Sequence, residues 1–402
     1  MHQLKFCFIF ASAFLYLSPS YLFAQIGGSN DPTTDGRKGA RLIATGVPFL
    51  LITPDSRSGA MGDAGAAIFP DANAVHWNPA KLAFVANKTG ASLSYSPWLQ
   101  RLVPDINLAY LSAFRRLDDR NTIGTSLRYF SLGQIQLIDE NLNDQGTYNP
   151  NEFAIDGSFS RKFGDNFSMG TAVRFIYSNL NSGQFSSGQD PRAGTALSAD
   201  LSAYYTNDME LLNDDARLAL GVNISNIGSK IGYVEAGSRS FLPTNLKVGS
   251  ATTFYWSNSS EFTFAFDINK LLVPSPPEIG VDPTTGDTFI IKGRNPSTLS
   301  VPAAIFGSFS DAPGGLKEEL QEISYSAGVE YSYNRQFALR AGYFYENPNK
   351  GNRQYFTVGA GLRYNVLDID FAYLLANQEK SPLANTLRFS LVFNFEAKQN
   401  NP

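Results

Sequence analysis

Of the two histidines in the chain, His2 and His76, only His76 lies beyond the first twenty-four residues. A Ser/His/Asp hydrolase, such as a barrel lipase or deacylase, would have to use it as base. Its neighbours are Trp77 and the turn-forming pair Asn78-Pro79, and no motif supplies a positioned nucleophile. A packed or hydrogen-bonded role is expected for it, and no catalytic residue is assigned. The run Asp139, Asn141, Asn143 and Asp144 has the look of a calcium loop. It departs from one where an EF-hand needs glycine, at Asp144, and bidentate glutamate, at Pro150, so it reads as solvated loop polarity and no metal or cofactor is expected. The single cysteine, Cys7, falls in an apolar leader. With it gone, disulfides, thiol catalysis and cysteine-bound zinc are excluded together.

Arg115, Arg128, Arg174, Arg340, Arg363 and Arg388 recur inside segments that alternate apolar with small or polar residues. That period of two is the pattern of strands with unlike faces, and it repeats about fourteen times between Lys88 and Phe395. In the last copy Leu387, Phe389, Leu391, Phe393 and Phe395 share one face, while Arg388, Ser390 and Asn394 share the other. A sheet with lipid outside and a wet lumen inside requires such faces, and the arginines are then expected in the lumen, paired with Asp200, Glu330 and other acids. Charged residues at 17% and aromatics at 13% agree with a membrane wall. Trp98, Tyr129, Tyr177, Trp256 and Tyr373, near strand ends, suit interfacial girdles. No basic stripe tracks phosphates, so nucleic acid is a poor partner.

Residues 1–24 read as a signal peptide, with Lys5 before an apolar run from Phe6 to Leu17 and Ala24 at the expected cut. Beyond it no apolar run is long enough for a membrane helix, which leaves a closed sheet as the spanning solution. Residues 25–39 are polar and suit a periplasmic lead-in. Residues 40–87 are dense in glycine and alanine, which permit close backbone approach, and read as a lumen plug. Gly59, Met61, Gly62, Asp63, Trp77, Asn78 and Pro79 are its candidate closing residues. The domain reading is therefore leader (1–24), lead-in and plug (25–87), barrel (88–396) and tail (397–402).

Strands are expected at 88–98, 105–117, 121–133, 151–163, 166–180, 193–206, 216–226, 244–256, 260–270, 321–333, 336–346, 353–364, 366–375 and 383–395. The even-numbered connections are tight except 207–215, and most odd ones are longer, as in barrels with short periplasmic turns and long external loops. An even count returns the C-terminus to the periplasm, where the plug is expected to begin. The loop 271–320 is the outlier, holding Pro274-Ser275-Pro276-Pro277, the apolar triplet Phe289-Ile290-Ile291 and a short helix near Leu316 to Leu320. Loops so long are usually functional or disordered, and the triplet would be wasted in a solvated tether.

Three stretches carry a resemblance: Gly46-Val47-Pro48-Phe49-Leu50, then Pro54-Asp55-Ser56-Arg57-Ser58-Gly59-Ala60-Met61-Gly62-Asp63-Ala64-Gly65, then Trp77-Asn78-Pro79-Ala80. With them the chain resembles the PorV family of the type IX secretion system, a branch of the FadL-like barrels; a PorQ-like sister barrel shares parts of the same text. The resemblance implies an all-β, fourteen-stranded antiparallel transmembrane β-barrel in the outer membrane of a Gram-negative bacterium. It also implies a shuttle that takes secreted proteins by their C-terminal domains as they leave the translocon, then presents them to a cell-surface sortase for attachment to lipopolysaccharide. Exposed apolar groups in polar loops mark protein-binding patches, so Tyr233, Phe241, Phe289, Ile290 and Ile291 are the candidate contacts. The rival reading is FadL-like passage of hydrophobic small molecules. It calls for apolar pockets in the lumen beneath the external loops, where an adaptor calls for a sealed lumen.

Overall fold

The computed structural model describes residues 41–98, 105–138, 143–180, 192–234, 237–282, 284–376 and 386–395. The leader, the lead-in up to residue 40, the tail and the first part of the calcium-like run, Asp139 and Asn141, lie outside them. The strands are β1 (Thr89–Pro97), β2 (Asn107–Arg116), β3 (Asn121–Ser131), β4 (Ile135–Ile138), β5 (Asp144–Tyr148), β6 (Asn151–Lys162), β7 (Phe167–Asn179), β8 (Gly194–Leu211) and β9 (Asp214–Gly228). They continue with β10 (Asn245–Ser257), β11 (Ser260–Leu271), β12 (Glu278–Val281), β13 (Thr288–Lys292), β14 (Ile323–Tyr333), β15 (Phe337–Tyr345), β16 (Gln354–Tyr364), β17 (Leu367–Ala376) and β18 (Thr386–Phe395).

Fourteen of these close into one antiparallel barrel, in the order β1-β18-β17-β16-β15-β14-β11-β10-β9-β8-β7-β6-β3-β2. Closure is made where β1 meets β18, with Thr89 opposite Phe395 and Tyr95 opposite Phe389. No edge is left unpaired around the wall, which a sheet in lipid requires. Each barrel strand matches one expected from the period-two pattern. The alternation has the expected physical result: Arg388, Ser390 and Val392 are buried toward the lumen, while Phe389, Leu391 and Phe395 face outward. Arg115 is a correction, since Phe114 takes the inward position against Ala72, Val75 and Leu82, and parity sends Arg115 outward.

The nine-residue turn expected at 207–215 is also corrected. β8 runs on to Leu211, and Leu212-Asn213 alone make the turn, with φ of 58° and 69°. Two successive left-handed residues form the type I′ geometry that matches strand twist. With that change the connections at this end, from Leu212-Asn213 to Asn334-Arg335-Gln336, are tight, which marks it as the periplasmic end. At the other end two long loops carry structure of their own. The hairpin β4-β5 rises between β3 and β6, and the hairpin β12-β13 and the helices Val301–Gly307 and Leu316–Gln321 lie between β11 and β14.

The described plug begins at the end opposite to the one expected. Arg41 stands at the long-loop end, with its guanidinium on Glu318 at 2.5 Å and near Glu278 at 4.0 Å. From there the chain runs inward through the 3-10 turn Pro48–Leu51, the helices Ser56–Ala60 and Ala74–Trp77 and the 3-10 helix Pro79–Phe84, and reaches β1 at the short-turn end. The reason is local. Val47, Phe49 and Leu50 are buried against Leu108, Phe130, Ile176, Ile231 and Leu242, an apolar cluster at the long-loop end of the wall. Each such side chain contributes about 1.5–3 kcal/mol by leaving water.

Candidate functional site

Two regions gather the candidate residues, the plug inside the barrel and the loops above it. The plug is short of regular structure, so its backbone groups are satisfied by caps and by the wall. Asp55 accepts from the Ser58 amide at 2.9 Å, capping the helix Ser56–Ala60, and from the Trp77 indole at 2.6 Å. Asn78 caps the next turn through the Ala80 amide at 3.1 Å, and its Nδ2 donates to the carbonyls of Ala66 and, on β8, Ala203 at 3.1 and 3.0 Å. Pro79 follows at the first helical position, where its missing N–H costs nothing. Lys81 donates to the Gly65 carbonyl at 2.7 Å.

The wall reaches in from all round. Asp267 on β11 accepts from the amides of Gly65 and Ala66 at 2.8 and 2.9 Å. Thr357 on β16 accepts from the Gly62 amide at 2.9 Å and donates to the Ala60 carbonyl at 2.9 Å. Asp63 accepts from the Tyr355 hydroxyl and, at 3.4 Å, from Arg388. Ser390 on β18 accepts from the Ser56 amide at 2.8 Å, and Ser168 on β7 donates to the Ala80 carbonyl at 2.7 Å. Inward-facing glycines bring the two backbones together. A Cβ at Gly342 would stand 2.1 Å from the Gly62 nitrogen, and one at Gly221 would stand 2.2 Å from the Ala66 oxygen. Gly62 itself has φ of +66° and lies on the Tyr343 backbone, so two glycines meet across this contact. Met61 is fully buried beside Gly328, and a Cβ at Gly59 would strike Arg388.

Arg174, Arg340, Arg363 and Arg388 pair with acids as expected, and Arg128 instead meets carbonyls and His76. Arg174 binds Asp156 at 2.6 Å and Asp200 at 3.1 Å, and Arg340 binds Glu330 and Asp370, both at 2.5 Å. Arg57 of the plug takes the other side of Glu330 at 2.8 Å. Arg363 lies at the short-turn rim on Asp368 at 2.7 Å. Arg128 donates to the carbonyls of Phe49 and Leu50 at 3.2 and 2.6 Å and to His76 Nδ1 at 2.7 Å. The Arg128 guanidinium can only donate, so that nitrogen accepts and the imidazole is neutral. Trp77 and Tyr110 pack on its ring at 4.8 and 6.3 Å.

Below the plug, at the short-turn end, opens a cavity of about 900 Å³. Its lining includes Phe69 and Asp71 of the plug tip and the paired ions Arg57, Glu330, Arg340 and Asp370. Toward the long-loop end, Phe49 and Leu50 of the plug pack with Leu108, Phe130 and Ile176 of the wall.

Among the loop candidates, Phe289, Ile290 and Ile291 are exposed along β13. Phe241 is not, being 8% exposed beneath the helix Val301–Gly307 with Val273 and Ala304, and carrying the Lys230 ammonium 4.1 Å from its ring. Its apolar side chain found an intramolecular partner that loop composition did not reveal. Tyr233 is half-buried, with its hydroxyl 2.9 Å from that of Ser178.

The sequence reading missed the way the long loop is seated. Glu318, Glu319 and Glu322, in and just after the helix Leu316–Gln321, are buried, while Leu316 and Leu320 are 74% and 56% exposed. Lys350 meets Glu318 at 2.7 Å and Glu322 at 2.9 Å, and Lys270 meets Glu319 at 3.0 Å and Glu322 at 2.8 Å. The helix thus lies with its acids down and its leucines out, and Phe306 nearby is 80% exposed. The spacing of Leu316 and Leu320, four apart and offset from Glu318 and Glu322, was a visible signal of two faces but not of which would be covered. Among the described residues no cluster of His, Cys, Asp and Glu could hold a metal ion.

Residues 35–278 match the family described as type IX secretion system protein PorV. No curated protein matches. Among solved structures, the Pseudomonas putida toluene transporter TodX is similar at 13% identity and a TM-score of 0.49, covering 85% of this chain and 99% of that one. The Ralstonia pickettii toluene transporter TbuX is similar at 11% and 0.45, covering 85% and 98%, and a Pseudomonas aeruginosa FadL homologue at 13% and 0.44, covering 89% and 100%. The family match takes in more than half of the 402 residues. With its closed antiparallel barrel, the chain is an outer-membrane protein that belongs to the PorV family of the type IX secretion system.

Proposed function

We propose that this protein is an adaptor rather than an enzyme or a pore: its external loops bind secreted proteins by their C-terminal domains as these leave the translocon, and deliver them to the surface sortase. The observation that carries this reading is the long loop between β11 and β14, held by buried acids with Phe289, Ile290, Ile291, Phe306, Leu316 and Leu320 turned outward. Exposed apolar surface of that extent, on a loop fixed by ion pairs, suits a protein-binding face. The close packing of plug against wall supports it. Among the described residues, Phe49 and Leu50 pack on the wall beneath the loops, and the cavity of about 900 Å³ lies on the far side of the plug among paired ions, which favours the adaptor over passage of hydrophobic small molecules. His76 bonds to Arg128 and packs between rings, which supports a structural role and not a catalytic one.

The test is deletion of residues 286–292, followed by pull-down of the tagged protein from detergent-solubilised membranes. Loss of co-purifying secreted proteins and sortase, with the barrel still assembled, is expected. Undiminished capture by the deletion variant sinks the loop assignment, and bound lipid with no protein partner in the wild type turns the reading to transport.

A further inference from the structure

The hairpin β12-β13 is a two-stranded sheet that pairs with nothing else among the described residues. Ile279 lies opposite Ile290, Gly280 opposite Phe289 and Val281 opposite Thr288. At its turn the Asp282 amide bonds the Asp287 carbonyl at 2.9 Å. In an antiparallel pair hydrogen-bonded and non-hydrogen-bonded positions alternate, so Gly280 and Phe289 bond each other, and the amides and carbonyls of Thr288 and Ile290 point away from β12. β13 is exposed at every position, whereas β12 alternates between exposed and half-buried, with Glu278 close to Arg41. The outer edge of β13 is therefore a row of main-chain donors and acceptors flanked by Phe289 and Ile291.

Natural sheets blunt such edges with charge, proline or a covering element. Between Thr288 and Ile291 there is no charge and no proline. An isolated two-stranded hairpin is marginal in water, and a third strand supplies what it lacks. The base is nonetheless fixed, because Pro277 and Pro313 pack around Gly293 and the Lys230 ammonium bonds the carbonyls of Pro296 and Ser297, each at 3.2 Å.

We propose that β13 recognises its partner by strand addition: an unpaired edge strand of the cargo's C-terminal domain aligns on the outer edge of β13, bonding the main chain of Thr288 and Ile290 while Phe289 and Ile291, which share one face over Gly280, fill side-chain pockets of the partner. This rests on the adaptor reading above and adds the mode of recognition. Main-chain bonds carry the affinity in this mode, which tolerates variation in the partner's sequence and suits a carrier of many proteins.

The test uses the full-length protein in lipid nanodiscs and, as probe, the purified C-terminal domain of a protein that the same bacterium secretes by this system. Amide exchange at Thr288 and Ile290 is expected to slow by at least about tenfold on binding. Ile290→Ser, which keeps the amide, should weaken binding a few-fold, and Ile290→Pro, which removes it, by about tenfold or more. Binding that persists with these amides still exchanging freely, or that Ile290→Pro leaves intact, overturns strand addition but not the adaptor reading. Protection that depends on the concentration of the barrel protein and not on the probe makes the occupant a second copy, which also overturns it. A wild-type protein that does not bind the probe removes the adaptor reading and this proposal together.

Discussion

The indole of Trp77 donates to the carboxylate of Asp55 at 2.6 Å, and the same carboxylate caps the helix Ser56–Ala60. The bond ties two plug segments twenty-two residues apart, each carrying only about one turn of helix. Trp77→Phe keeps the ring and deletes the donor, leaving a fully buried carboxylate oxygen without that partner. The expected cost is about 1–3 kcal/mol. Thermal unfolding followed by tryptophan-independent circular dichroism, with amide exchange in residues 56–60 as the local readout, checks it.

Gly342→Val places a Cβ where the Gly62 nitrogen already sits at 2.1 Å, and the contact is backbone on both sides. The wall cannot yield without breaking the β14-β15-β16 ladder, so the plug moves instead. The barrel should still assemble and show its heat-dependent gel shift, while the outer membrane becomes leaky to solutes the wild type excludes. A tight membrane in that variant shows that the plug does not depend on this contact for closure.

Glu330 holds Arg57 of the plug at 2.8 Å and Arg340 of the wall at 2.5 Å. Glu330→Gln removes one charge and leaves two buried guanidiniums facing each other, with Asp370 remaining for Arg340. Breaking a buried pair in this way typically costs about 3–5 kcal/mol. Reduced thermal stability is expected, together with raised protease access at the plug tip around Phe69.

The seating of the external helix should depend on acid. Burial of Glu318 opposes its ionisation, but hydrogen bonds from Arg41 and Lys350 and the Lys350 charge outweigh this and hold its pKa down to about 2 from an ordinary 4.5. A carboxyl whose folded pKa is depressed contributes stability that is complete above its unfolded pKa and is lost as pH falls toward the folded one. Amide protection in the helix Leu316–Gln321 should stay constant from neutral pH down to about 5 and decline between about 4.5 and 2. Glu318→Gln should flatten that decline.

Much of the wall was legible because a strand's side chains alternate with a period of two, and lipid against water is the sharpest contrast such a period can record. Leu387 to Phe395 alone assign inside and outside for β18. The boundaries failed where local chemistry was indifferent. Leu212 and Asn213 carry no glycine, and the turn is set by β8 and β9 pairing down to Leu211 and Asp214. Arg115 was misplaced because Phe114 is apolar and fits either lipid or a plug, and the plug claimed it.

By itself the sequence determined the strand number, the two faces and the presence of a glycine-rich filler, since each follows from spacing along the chain. Only the tertiary structure decided which acid meets which arginine, that the described plug begins among the long loops, that Phe241 is covered, and that the helix at Leu316 shows its leucines. These depend on groups far apart in sequence, Arg41 with Glu318 or Asp267 with Gly65, whose encounter closure of the barrel brings about and no local period encodes.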